Sequence, residues 1–409
     1  MLATIPLLFI LAGLALYTVL GGADFGAGLW QLSAGRGPRA RAIRDHAHHS
    51  MAPVWEANHV WLIFALTVGW TAYPVVIGAV ASTSTIPLSI AGLGIIARGI
   101  AYALQSATDV PHERRVIDAV FGLSSMLTPY MLGSALGAIA SGRVPVGNAA
   151  GNLVTSWLNP TSILCGALAV AVGAFLAAVY LAADARRLGL GELQRAFRSR
   201  ALAAGVLAGL LAVAGLIVVH HDAERIYRGL TSGWGLAAVI VSALAGLMTL
   251  ALVWGNRFQL ARGGAALAVA AILAGWAAAQ RPIVLPGLTL HQAAAPNDTL
   301  VALIIAVLVG GLILAPSLGL LFRLVLAGGL DPTDQPDVPV TQASARHTKS
   351  SGRLAQTAIG CLLVGVVLLT LADPGAAHVV GVIALLTAAV LGFAAVAPDQ
   401  TALDDAPKR

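Results

Sequence analysis

Charge is scarce in this sequence: Asp, Glu, Lys and Arg make up 10% of 409 residues, against 58% hydrophobic residues and a mean hydropathy of +0.85. So little charge excludes the two or three soluble domains that the length alone would suggest, and it predicts a polytopic membrane protein. Cysteine is nearly absent. Cys165 and Cys361 each sit inside an apolar stretch, which excludes a disulfide framework, a cysteine-ligated zinc site and a CxxCH haem-attachment motif. The short alternating segments of a membrane barrel are missing too, so the spans are expected to be helices whose backbone groups pair internally. The first apolar run, IPLLFILAGLALYTVL, has no basic lead-in and no clear small-residue cleavage site before GGADFGAGLW. It reads as a retained first span rather than a removed signal peptide. The net charge of +6 comes from arginines in short loops, which membrane topology explains without nucleic acid.

What the chain has in quantity is apolar runs close to the roughly 20 residues that a helix needs to cross a ~30 Å hydrocarbon core. They predict spans at 5–29, 54–79, 84–103, 118–140, 162–183, 201–219, 233–254, 264–280, 298–322, 354–371 and 376–397, about eleven crossings in an all-α fold. The odd-ranked connections hold Arg36, Arg39, Arg41 and Arg44; Arg114 and Arg115; Arg186, Arg187, Arg195, Arg198 and Arg200; Arg257 and Arg262; and Arg323, Arg346, Lys349 and Arg353. Even-ranked connections hold only Arg143, Arg225, Arg228 and Arg281. The odd loops are therefore expected to be cytoplasmic and the N-terminus outside. Residues 1–327 form the expected transmembrane body of about nine spans, 328–353 a linker rich in Pro, Asp, Ser and Thr, 354–397 a C-terminal hairpin and 398–409 a tail. A faint echo between LALYTVLGGAD and FLAAVYLAADA is consistent with two related helical bundles.

Ionisable side chains within spans are costly and are functional candidates by default. Here they are Asp24 in the first span, Glu56 and His59 in the second and Arg98 in the third, with Asp118 and Asp184 at span borders. Span direction places all four in the cytoplasmic third, and Glu56 and His59, three residues apart, share a helix face. Two acids and an imidazole steadied by one Arg suit proton uptake from the cytoplasm. The structural alternative is that Arg98 neutralises Asp24 or Glu56 to fix packing, and that Trp55 and Trp61 are interfacial belt residues. A metal site at DHAHHSM would use His46, His48 and His49, but the only close carboxylate is Asp45. His220, His221 and His291 read as solvated loop residues. Haem ligation inside the chain is hard to support, because His59 is the one histidine clearly within a span.

LGGADFGAG at 20–28, PVWEANHVWLI at 53–63 and the Arg98 context IIARGIAY are close to motifs of a known family. Weaker echoes are FGLSSMLTPYMLGSALG at 121–137, WLNPTSILCG at 157–166 and RPIVLPGLTLHQAAAPNDTL at 281–300. On these residues, covering about 1–325, the chain resembles subunit II of the cytochrome bd quinol oxidases, whose motifs read LDGFDxGxG and PxWxxNxVWL. The resemblance implies two four-helix bundles plus a peripheral helix, here with the added C-terminal hairpin. It also implies a haem-bearing subunit I as partner, which would carry haem b and haem d, with quinol as electron donor. This chain would hold no cofactor of its own, and small accessory subunits, membrane lipids and quinone complete the expected partners in a bacterial inner membrane.

Carried over by position, Glu56 matches the family's acidic proton-path residue, with Asn58 and Trp61 as motif companions. Asp24 matches the second acid of LDGFD, and Arg98 the intramembrane Arg. Gly21 and Ala23 depart from that motif, and His59 stands where other polar residues occur. The expected role is a proton path and assembly support for the oxidation of quinol by O2. The rival reading is a proton-coupled secondary transporter or permease, which broken helices meeting at the bilayer midplane would favour. A purely scaffolding subunit is the third.

Overall fold

The computed structural model describes residues 2–105, 111–326, 349–371 and 376–396. Helices dominate: α1 (Ile5–Leu32), α2 (Pro38–Ala72), α3 (Pro74–Thr83), α4 (Thr85–Gln105), α5 (Pro111–Ala140), α6 (Pro160–Arg187), α7 (Gly191–Asp222), α8 (Glu224–Leu230), α9 (Gly233–Trp254) and α10 (Phe258–Gln280). After them come α11 (Leu290–Ala293), α12 (Asn297–Leu326), α13 (Lys349–Leu371) and α14 (Ala376–Val396). Several of these helices open on proline, whose missing N–H costs nothing in a first turn. At α6 the preceding Asn159 also caps the helix, its side-chain oxygen accepting from the Ser162 N–H at 3.0 Å. A small antiparallel hairpin, β1 (Ile283–Leu285) with β2 (Leu288–Thr289), interrupts the helices.

Among the described residues, eight helices are long and apolar enough to cross a membrane, or up to nine if a bent pair counts as one span. That bent pair corrects the expected continuous span at 54–79. The helix instead begins at Pro38, runs to Ala72, and gives way at Tyr73 to α3, turned by 119°. Pro74 explains the break, since proline disfavours helical geometry in the residue before it and removes a ladder donor. The carbonyl of Ala72, at the end of α2, accepts from the Ala295 N–H at 2.8 Å. Composition alone hid the turn because both sides of it are apolar.

The chain divides into two units, Met1–Leu318 and Gly319–Arg409. In the first, α6 is the most enclosed helix and packs on α1, α5, α7 and α10, while α12 is exposed along most of its length apart from Leu300 near its start. The α1–α6 contact is close because both sides are glycine: a Cβ on Gly26 would overlap the Gly173 carbonyl. In the second unit α13 lies on α14, with Gly365 against Leu385 and the Gly381 carbonyl. Most of the expected linker, 328–353, and the tail, 398–409, lie outside the described residues.

Candidate functional site

Asp24 lies about two turns before the end of α1, and Arg98 about two turns before the end of α4. The fold brings them together as an ion pair through Arg98 Nη2 and Asp24 Oδ1, with side chains only 1% and 2% exposed. The same nitrogen donates to the Asp24 backbone carbonyl at 3.0 Å. From α2, Asn58 Nδ2 donates to the other carboxylate oxygen at 3.0 Å. From α5, the Ser125 hydroxyl accepts from Arg98 Nη1 and donates to the Phe121 carbonyl. Four helices thus converge on one charge pair.

The Arg98 guanidinium lies between two rings, 4.9 Å from the Phe25 centroid and 4.2 Å from that of Phe121. A cation in this position gains from the ring quadrupoles, and more so out of water. Gly28 makes room for it: an added Cβ would overlap the Ser125 hydroxyl and come 2.8 Å from Arg98 Nη1. Around the pair, Tyr17 Oη, Asn58 Oδ1, Arg98 Nε and Thr128 Oγ1 are buried and have no hydrogen-bond partner among the described residues. This is a polar interior enclosed by apolar helices.

Of the residues singled out in the sequence, Asp24, Asn58 and Arg98 are brought into direct contact. Glu56 lies on α2, two residues before Asn58, and its side chain lies outside the described part. His59 follows Asn58 and is half-buried; among the described residues the hydrogen bonds of the Asp24 carboxylate and the Arg98 guanidinium run to Asn58, Ser125 and each other. Trp61 packs edge-on against Phe64, its own neighbour one turn along, at 6.2 Å. Phe25, Phe121 and Ser125 were not singled out. Phe25 lies within the first motif, and Phe121 and Ser125, one turn apart in FGLSSM, lie within a weaker echo.

The histidine tract is helical, not the loop that was expected. His46 is buried, with Nε2 3.0 Å from the Leu181 carbonyl and its ring against Phe197. His48 stacks on Tyr102 with centroids 5.0 Å apart, and His49 Nδ1 lies 2.7 Å from the Asp45 carbonyl. Each has its own neighbour, and no group of three potential ligands among the described residues could hold a metal ion. At the same end of the molecule, Arg262 pairs with Asp184 at 2.7 Å. Arg198 donates to the carbonyls of Val253 and Trp254 at 3.2 and 2.6 Å, where α9 ends. At the opposite end, Arg143 and Thr161 hold Asp222.

Residues 2–325 match the family profile described as cytochrome bd terminal oxidase subunit II. The chain is 23% identical over 236 residues to the putative cytochrome bd menaquinol oxidase subunit II of Bacillus subtilis, covering 57% of this chain and 67% of that protein. It is 28% identical over 212 residues to the cytochrome bd-I ubiquinol oxidase subunit 2 of Escherichia coli, covering 50% of this chain and 54% of the relative, about half its length. Among solved structures, the bd oxidase from Geobacillus thermodenitrificans is similar with a TM-score of 0.64 and 25% identity, over 80% of this chain and 98% of that one.

Proposed function

The chain belongs to the cytochrome bd terminal oxidase subunit II family, and from this premise we propose that it works beside a haem-bearing subunit I, guiding protons from the cytoplasm and supporting assembly. Quinol supplies the electrons, and the partner's b and d haems supply the redox chemistry when bound. Reduction of O2 to water takes up one proton for each electron. A conduit from the inner surface therefore has a chemical use, and an acid within a span needs a reason to be there.

Glu56 is the principal carrier in this reading. The supporting observation is that Asn58, next but one to it on α2, donates to Asp24 in a charge pair buried across α1, α2 and α4. That pair fixes the walls of the path and sets a polar field inside an apolar bundle. His59 adds an imidazole that can accept a proton and pass it on, Arg98 stabilises charged forms, and Trp61 braces α2. In this reading the charged end of the bundle faces the cytoplasm and the N-terminus lies outside, on the support of the arginine-rich connections. A family match across 2–325 leaves a permease with no comparable support.

Glu56→Gln keeps the shape of the side chain and removes its acid. The complex purified through this chain should keep its haem spectrum while quinol-driven proton uptake slows by about tenfold or more. Full turnover with full haem occupancy would sink the role of Glu56. Loss of the haems themselves would point to scaffolding instead.

A further inference from the structure

An apolar cleft of about 620 Å³ opens between α5, α6 and α7 beside the end of α1. Leu123, Met126 and Tyr130 form one wall, and small residues such as Ala171 and Ala203 hollow out the others. The α7 wall from Ala203 to Leu211 is about 12 Å long at 1.5 Å per residue, suited to a hydrocarbon chain. Trp30 closes one end, its indole N–H donating to the Ala174 carbonyl at 2.9 Å.

The mouth at that end is cationic. The Arg200 guanidinium stacks 5.5 Å from the Trp30 ring and 5.4 Å from Phe197. Neighbouring arginines are engaged: Arg198 on the end of α9, Arg262 on Asp184, Arg186 on the Asn256 carbonyl. Among the described residues Arg200 has one hydrogen bond, 3.3 Å to the Ala196 carbonyl a turn back on its own helix. Among the described residues no carboxylate pairs with it or with Arg39, and Arg39 stands one turn before Ile43, which is buried in the same core as Phe197 and Ala201 on either side of Arg200. Two like charges without a counterion, set where a hydrocarbon furrow begins, complement a molecule that is anionic at one end and apolar along its length.

We propose that this cleft binds an anionic phospholipid, its phosphate held by Arg200 and Arg39 and one acyl chain laid along α5, α6 and α7. Basic pockets between spans at the arginine-rich end attract acidic headgroups, and long basic side chains reach the headgroup level while their stems stay in apolar surroundings. A zwitterionic lipid would bring an ammonium toward two cations. A quinone would fill the furrow and leave both charges unanswered. The site is independent of the proton path.

The test exchanges the whole complex, purified through this chain, into nanodiscs holding equal phosphatidylglycerol and phosphatidylcholine, and counts retained lipid by native mass spectrometry. The native complex should retain phosphatidylglycerol in preference. Arg200→Gln should lower retention about fivefold and the double variant with Arg39→Gln further, while Arg200→Lys keeps most of it and Ala203→Phe blocks it by filling the furrow. The haem spectrum should be unchanged throughout. Equal retention of the two lipids, retention unaffected by the double variant, or density for a quinone or a neighbouring polypeptide in the cleft would overturn the proposal. If Arg200→Gln fails to assemble, Arg39→Gln and a salt titration of the native complex still decide it, because headgroup binding through charge weakens as salt rises.

Discussion

At the scale of single residues, the Asp24–Arg98 pair is the most consequential feature, because both charges are almost wholly removed from solvent. Such a pair adds little net stability over a well-packed apolar equivalent, yet breaking it strands a buried charge at a cost of about 3–5 kcal/mol. Asp24→Asn and Arg98→Gln should each lower the thermal stability of the complex sharply, and the double variant should lose less than the sum of the two. Thermal denaturation followed by haem absorbance reads this out; strictly additive losses would mean that the two side chains act separately. The sequence marked both residues because charges within apolar runs are rare. It did not reveal which acid Arg98 meets, since that depends on how four helices are rotated against one another. Ser125 stayed hidden for another reason: hydroxyls are common along α5, where Ser124, Thr128 and Ser134 are also buried, and no spacing rule picks out the one that faces the guanidinium.

Elements are placed by two devices, a close approach and a break. At the close approach, Gly26 lets α1 lie against the backbone of α6 at Gly173, and a Cβ there would also come 2.8 Å from that of Ala177. Gly26→Ala should therefore force the central helices apart and reduce the yield of assembled complex, whereas Gly209→Ala, where an added methyl meets nothing, should be harmless; size-exclusion profiles of the two variants compare them directly. At the break, α2 ends before Pro74 while its other end runs well past the apolar segment to Pro38. That extension carries His48 against Tyr102. Burial and the charge of His49 pull the His48 pKa below 6.5, Arg114 adds to the effect, and Asp45 and Asp118 oppose it. The unfolded segment thus takes up the proton first as pH falls. Docking of the extension is fully stable above about pH 6.5 and weakens as pH drops through the lower folded value. Protection of amides 40–50 from exchange, taken relative to the intrinsic rate at each pH, should accordingly fall between about pH 7.5 and about pH 5.5, and His48→Phe, which keeps the stacking, should remove most of that fall.

For the molecule as a whole, the helical membrane character was legible because hydropathy reports it almost directly. The order of the long helices followed from the same signal. What hydropathy does not carry is direction after a break, so the turn into α3 and the small hairpin of β1 and β2 were missed; proline at 74 was the available cue. The division of the chain raises a separate matter. Residues 1–318 contain the charge pair, the central helices and the cleft, and α13 and α14 pack on each other in the second unit through small-residue contacts of the kind that join membrane helices. A hairpin that satisfies its own backbone and finds its own partner does not need the body in order to fold. Removal of 328–409 should therefore leave a chain that still assembles with the haem-bearing partner, with an unchanged optical spectrum and unchanged quinol turnover. Loss of the haem spectrum or of quinol turnover on this deletion would show instead that the body depends on the hairpin.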